Sequence, residues 1–155
     1  MTDLHSLARS LKDHPVVAEL EPAHLEFLAG CTKNVRLADG EYLFREGGPA
    51  NDLYLIREGK IALEVHAPPR GSIVLETLHR GDAIGWSALF PPYAWYSDGR
   101  ATRGSLLFSI DATCLRAKLD ADHDFGYAFM RTMLGQVHQR LDRARLQQLD
   151  VYRSE

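Results

Sequence analysis

Cysteine is nearly absent: the 155 residues hold two, Cys31 and Cys114. Two cysteines without zinc-site spacing exclude a cysteine-built zinc site, and an iron–sulfur cluster needs about four ligands. A disulfide between them is allowed, but so sparse a count fits the reducing cytoplasm better. No apolar run approaches the roughly 20 residues of a membrane span. Met1 to Ser10 carries Asp3 and Arg9 without an apolar stretch, so it does not read as a signal peptide. An excess of positive charge is also lacking. The formal net charge is −3, which gives no overall field toward nucleic acid or an anionic membrane. The chain is therefore expected in the cytoplasm, as one domain spanning 1–155.

What is present is a change of period along the chain. Leu4, Leu7, Ala8 and Leu11 recur at helical spacing, and the helix stops before Pro15. Glu21-Pro22 opens a second helix, with Leu25, Phe27 and Leu28 apolar and Gly30 placed to end it. These helices account for 1–32. From 33 to 110 the signal is β. Asn34 to Leu37 and Tyr42 to Phe44 flank Asp39-Gly40, a hairpin-turn pair. Leu53-Tyr54-Leu55-Ile56 is a continuous apolar run, as for a strand buried on both faces, whereas Ile61, Leu63 and Val65 alternate with other residues. Ile73 and Leu75 alternate again, Ala83-Ile84-Gly85 follows a turn, and Leu106, Phe108 and Ile110 mark the last strand. Helices return over 111–155. Asp111 is placed to cap a short one, and a long one runs from about Asp124 to Tyr152, with Asp122 and Asp124 at its start. The pattern predicts a mainly β jelly-roll barrel with flanking helices.

The local residues sharpen this. Gly40-Glu41-Tyr42-Leu43-Phe44-Arg45-Glu46-Gly47 precedes Asp52-Leu53-Tyr54-Leu55-Ile56-Arg57-Glu58-Gly59-Lys60, and Gly81-Asp82-Ala83-Ile84-Gly85 and Ala88-Leu89 come later. Together they resemble the cyclic-nucleotide-binding domain of the catabolite activator protein and FNR superfamily, from about Val16 to the long helix. Turn chemistry alone explains each glycine; their joint order carries the resemblance. The Gly-Trp-Ser and Pro-Pro-Tyr-x-Trp segments resemble short bacterial members without a DNA-binding domain.

The resemblance implies a pocket over Ile84, Gly85, Trp86, Ser87, Ala88, Leu89, Trp95, Tyr96 and Arg100. In such domains a Glu after the glycine accepts the ribose hydroxyl, and an Arg further on neutralises the cyclic phosphate. Here Trp86 stands at the Glu position, and an indole N–H only donates. The family spacing for the Arg falls on Trp95 or Tyr96. Arg100-Ala101-Thr102 imitates the motif, but later, inside the next strand; an inserted loop would be needed to bring it back. Without both anchors, cyclic AMP and cyclic GMP are not expected to bind at physiological concentrations. Trp86, Tyr93, Trp95 and Tyr96 point instead to an apolar or aromatic ligand, or Trp86 and Trp95 fill the vacated space as core. No cofactor is required.

Met130, Leu134, Val137, Leu141 and Ala144 step by four and three, a coiled-coil type of seam. The resemblance implies a homodimer through this helix; the other reading is a helix lying on its own barrel. Phe125, Tyr127, Phe129 and Met133 widen the apolar surface, so the first half is expected on the barrel and the second on a partner. Arg131, Arg140, Arg143 and Arg145 read as a solvated face. Only three residues follow Tyr152, which leaves no room for a recognition helix, so DNA binding by this chain alone is not expected. Seven histidines are scattered without metal spacing and no nucleophile–base pair is evident, so the chain does not read as an enzyme. The expectation is a regulatory or sensor domain with a degenerate phosphate pocket, signalling through partner contacts. The alternatives are a cyclic-nucleotide-responsive transcription regulator shown without its DNA-binding part, and a structural dimerisation module.

Overall fold

The computed structural model describes residues 3–153, so Met1, Thr2, Ser154 and Glu155, including the two ends of the expected domain, lie outside the described residues. The elements are α1 (Leu4–Lys12), α2 (Pro22–Gly30), β1 (Thr32–Leu37), β2 (Tyr42–Phe44), β3 (Asp52–Glu58), β4 (Lys60–His66), β5 (Ser72–His79), β6 (Ala83–Ile84), a 3₁₀ turn (Trp86–Leu89), β7 (Asp98–Ala101), β8 (Ser105–Asp111), α3 (Ala112–Ala121) and α4 (His123–Arg153). Two four-stranded antiparallel sheets, ordered β1-β8-β3-β6 and β2-β7-β4-β5, form the barrel.

Period-two alternation divides the apolar residues between two cores. On β3, Leu53 and Leu55 face the helices, where they join Leu11, Leu28, Phe125 and Phe129. Tyr54 and Ile56 face the barrel interior with Phe44, Ile61, Trp95 and Leu107. The continuous apolar run is thus a strand buried on both faces, as expected. Asp111 caps α3 by accepting from the Cys114 N–H at 2.8 Å. At the start of α4 the Phe125 N–H donates to Asp122 at 3.1 Å. That bond, with Lys118 nearby, holds the Asp122 carboxyl below its usual range.

Three readings need correction. Asp39-Gly40 makes a turn with Gly40 at φ +89° but no hairpin. β1 pairs with β8 and β2 with β7, so the turn carries the chain from one sheet to the other. A two-residue turn signal fixes a local bend, while non-local burial chooses the strand partner. The cysteines are paired: Cys31, closing α2, is disulfide-bonded to Cys114 in the first turn of α3, with a Cα–Cα distance of 6.0 Å across a sequence separation of 83. Spacing along the chain does not show such a meeting. Finally, Tyr127 lies on the exposed side of α4 rather than on the barrel.

His14 is a buried histidine serving structure. Its Nε2–H donates to the Ile56 carbonyl at 2.9 Å, and its Nδ1 accepts from the Val16 N–H at 3.2 Å. These bonds fix the neutral tautomer. Burial, outweighing the pull of the Ile56 carbonyl, pushes its pKa below 6.5. The unfolded chain therefore takes up this proton at higher pH than the folded one. His14 contributes stability that is complete above about pH 6.5 and is lost as pH falls through the window below it. The urea midpoint is expected to drop between about pH 7.5 and pH 5.5, with a smaller drop in His14→Gln; an identical drop in both proteins would exclude His14 as its source.

Candidate functional site

A cavity of about 240 Å³ opens between the two sheets at the turn after β6. Phe44, Leu63, Leu75 and Ile84 supply apolar wall, and Trp86, Trp95 and Tyr96 supply aromatic wall. Gly85 starts the turn at φ +110°. A Cβ there would come within 3.0 Å of the Trp95 ring and 3.1 Å of the Asp52 carbonyl, so both conformation and space require glycine.

Trp95 is core as well as wall. It is 7% exposed, stacked on Phe44 with centroids 3.8 Å apart and planes 9° apart, with Tyr54 beyond it at 6.2 Å. Burial, reinforced by the nearby Asp52 charge, pushes the Tyr54 phenol up to about 12, so it stays neutral in this apolar interior. The segment holding Trp95 is fastened by backbone bonds: the Gly47 N–H donates to the Trp95 carbonyl at 2.9 Å, the Trp95 N–H to Gly48 at 3.0 Å, and the Ala50 N–H to Tyr93 at 2.7 Å. Arg116 of α3 adds a bond to the Ala88 carbonyl at 2.6 Å and stacks on the Tyr93 ring at 4.2 Å. Sequence reasoning did not single out Arg116.

The expected pocket residues separate into three groups. Ile84, Gly85, Trp86, Ser87, Trp95 and Tyr96 line the cavity. Ala88 is buried in the barrel interior, and Leu89 faces a different groove, along Leu119, Met130 and Leu134. Arg100 does not line the cavity. Its Nε lies 2.6 Å from the Glu64 carboxylate, which is buried. The reason is strand phase. Gly99 lies under the Phe44 ring and Ala101 sits in the interior core, so Arg100 between them points out of the barrel.

The cation at the cavity is Arg140, from α4. The reading of Arg140 as solvated is corrected, while Arg143 stays 41% exposed and is ion-paired. Arg140 is 7% exposed. It grips Glu76 of β5 with Nε at 2.9 Å and Nη2 at 2.7 Å, donates from Nη1 to the Ala83 carbonyl at 2.9 Å, and stacks on Trp86 at 4.2 Å. Arg143 bridges Asp82 at 2.9 and 3.2 Å, and the Gln136 side chain accepts from the Ala83 N–H at 3.2 Å. A usable signal existed: Phe125, Phe129, Met133, Gln136 and Arg140 recur by fours and threes, so Gln136 and Arg140 continue the buried stripe. The expected seam lies on another face, with Met130, Leu134, Val137, Leu141 and Ala144 all exposed. Among the described residues no group of three or more His, Cys, Asp or Glu side chains could hold a metal.

Residues 34–122 match the family model described as the cyclic nucleotide-binding domain. The chain belongs to that family. A putative cyclic nucleotide-binding protein from Geobacter metallireducens GS-15 is similar over 86% of this chain and 97% of its own, with 24% identity and a TM-score of 0.78. The N-terminal domain of a transcriptional regulator from Streptomyces coelicolor A3(2) covers 91% of this chain and 94% of its own at 27% identity, TM-score 0.66. The sensor domain of the transcriptional regulator DNR from Pseudomonas aeruginosa covers 90% and 93%, at 22% identity and TM-score 0.70. No curated protein matches the chain.

Proposed function

We propose that this cyclic nucleotide-binding domain is a non-enzymatic regulatory sensor that has given up cyclic-nucleotide recognition and signals by altered partner contacts, as a homodimer joined along α4. The observation that carries the reading is the exchange of polar anchors for tryptophan. Trp86 follows Gly85 where a ribose-binding carboxylate would stand, Trp95 is packed against Gly85 and Phe44, and Arg100 is paired with Glu64 outside the barrel. The two sensor and regulator domains of similar fold support the regulatory part. The exposed seam from Met130 to Ala144 supports self-association, because a two-fold dimer sets one such stripe against its copy. Among the described residues no helix is long and apolar enough to cross a membrane, and a cytoplasmic setting belongs to this reading.

With Arg100 on Glu64 and Arg140 already engaged by Glu76, a phosphate desolvated without a free arginine forgoes about 2–5 kcal/mol, or roughly thirty- to several-thousand-fold in affinity. Calorimetric titration with cyclic AMP and cyclic GMP to about a millimolar is expected to give no binding heat. Micromolar binding of either nucleotide would sink the reading and restore a nucleotide sensor, with Arg100→Ala and Arg140→Ala telling which arginine holds the phosphate.

A further inference from the structure

We infer that the cavity takes a small molecule with a planar apolar body and one carboxylate, and that this carboxylate binds Arg140 by displacing Glu76. The inference rests on the sensor reading above and names its ligand class.

The cavity fixes the body of the ligand. Its walls are Leu63, Leu75 and Ile84 with the side chains of Trp86, Trp95 and Tyr96, an apolar and aromatic lining that suits a flat ring. A volume of about 240 Å³ corresponds to roughly eight waters at ~30 Å³ each, so a single-ring molecule fits.

The Arg140–Glu76 pair fixes the charge. The two partners are not held equally. Arg140 is anchored by the Ala83 carbonyl below and the Trp86 ring against its face. Glu76 is 28% exposed against 7% for Arg140, and it stands on β5 beside water into which its carboxylate can turn. A second carboxylate reaching the guanidinium reproduces the same two-pronged contact. Arg140 stays paired throughout, so the exchange leaves no buried charge alone, whereas a ligand cation on Glu76 would strand Arg140. Releasing Glu76 also unties β5 from α4, so an occupied cavity is reported to the helix that carries the exposed seam.

The chain supplies the readout. It has two tryptophans, Trp86 and Trp95, and both line the cavity. Benzoate and phenylacetate titrated into the protein are expected to quench its fluorescence, with dissociation constants near a millimolar. Glu76→Gln keeps the shape but removes the competing charge, and is expected to bind benzoate about ten-fold tighter. Benzamide, which lacks the charge, is expected to bind at least about ten-fold more weakly than benzoate. A role for Glu76 confined to holding α4 would not tighten benzoate binding. Absence of quenching by both acids in both proteins up to about 10 mM, equal response to benzamide, or no gain in Glu76→Gln overturns the inference. None of these outcomes touches the loss of cyclic-nucleotide recognition, which is tested by the cyclic-nucleotide titration.

Discussion

Reduction of the Cys31–Cys114 bond lowers the melting temperature of the purified oxidised protein by about 10 °C, corresponding to about 4 kcal/mol for a chain of this length. The bond closes a loop across a separation of 83 residues, and a loop that long removes much freedom from the unfolded chain. It also ties together parts of one core. Cys31 lies in the helix-facing core, and Cys114 packs against it beside Leu115. Melting curves followed by circular dichroism, with and without dithiothreitol, read the shift. Cys31→Ser should melt near the reduced wild type and ignore the reductant. A wild type that melts alike in both conditions would show that the bond contributes nothing to stability.

On the proposed α4 dimer, replacing Leu134 and Leu141 by aspartate is expected to leave a monomer at roughly tens of micromolar. These side chains are 68% and 47% exposed in the single chain, on a different face of α4 from Phe125, Phe129 and Met133. A dimer would bury four such leucines, each contributing on the order of 1.5 kcal/mol when fully covered. Four buried aspartates in their place would weaken association well over a hundred-fold. The helix itself should survive, because Phe125, Phe129 and Met133 hold it to the barrel from another side. Sedimentation equilibrium reads the mass, and far-ultraviolet circular dichroism confirms that α4 is intact. A wild type that sediments as a monomer over this range would sink the dimer proposal.

Legibility in the sequence followed the range of each interaction. Leu53 to Ile56 announced a doubly buried strand because the signal lies within consecutive residues. Gly85 announced the turn after β6 for the same reason. Arg100 was legible only in part: its motif pointed inward, while its place between Gly99 and Ala101 in a strand put it outside. The Asp39-Gly40 turn showed the bend and concealed the partner. Cys31 meets Cys114, and Arg140 meets Glu76, only after the chain has closed. Arg140 was also masked by chemistry, since charged residues on a helix usually face water. Its phase with Phe125 and Phe129 was the one clue that it does not.

The fastening of Ala83 by α4 has one more consequence. β6 is the outermost strand of its sheet, and the N–H and C=O of Ala83 meet Gln136 and Arg140 instead of another strand. An uncovered strand margin is a template on which a foreign chain can pair. While α4 is seated, two side chains occupy that template. Loss of the helix after Met133, by proteolysis or a premature stop, would leave a sticky margin beside an open apolar barrel, and the shortened protein would tend to aggregate.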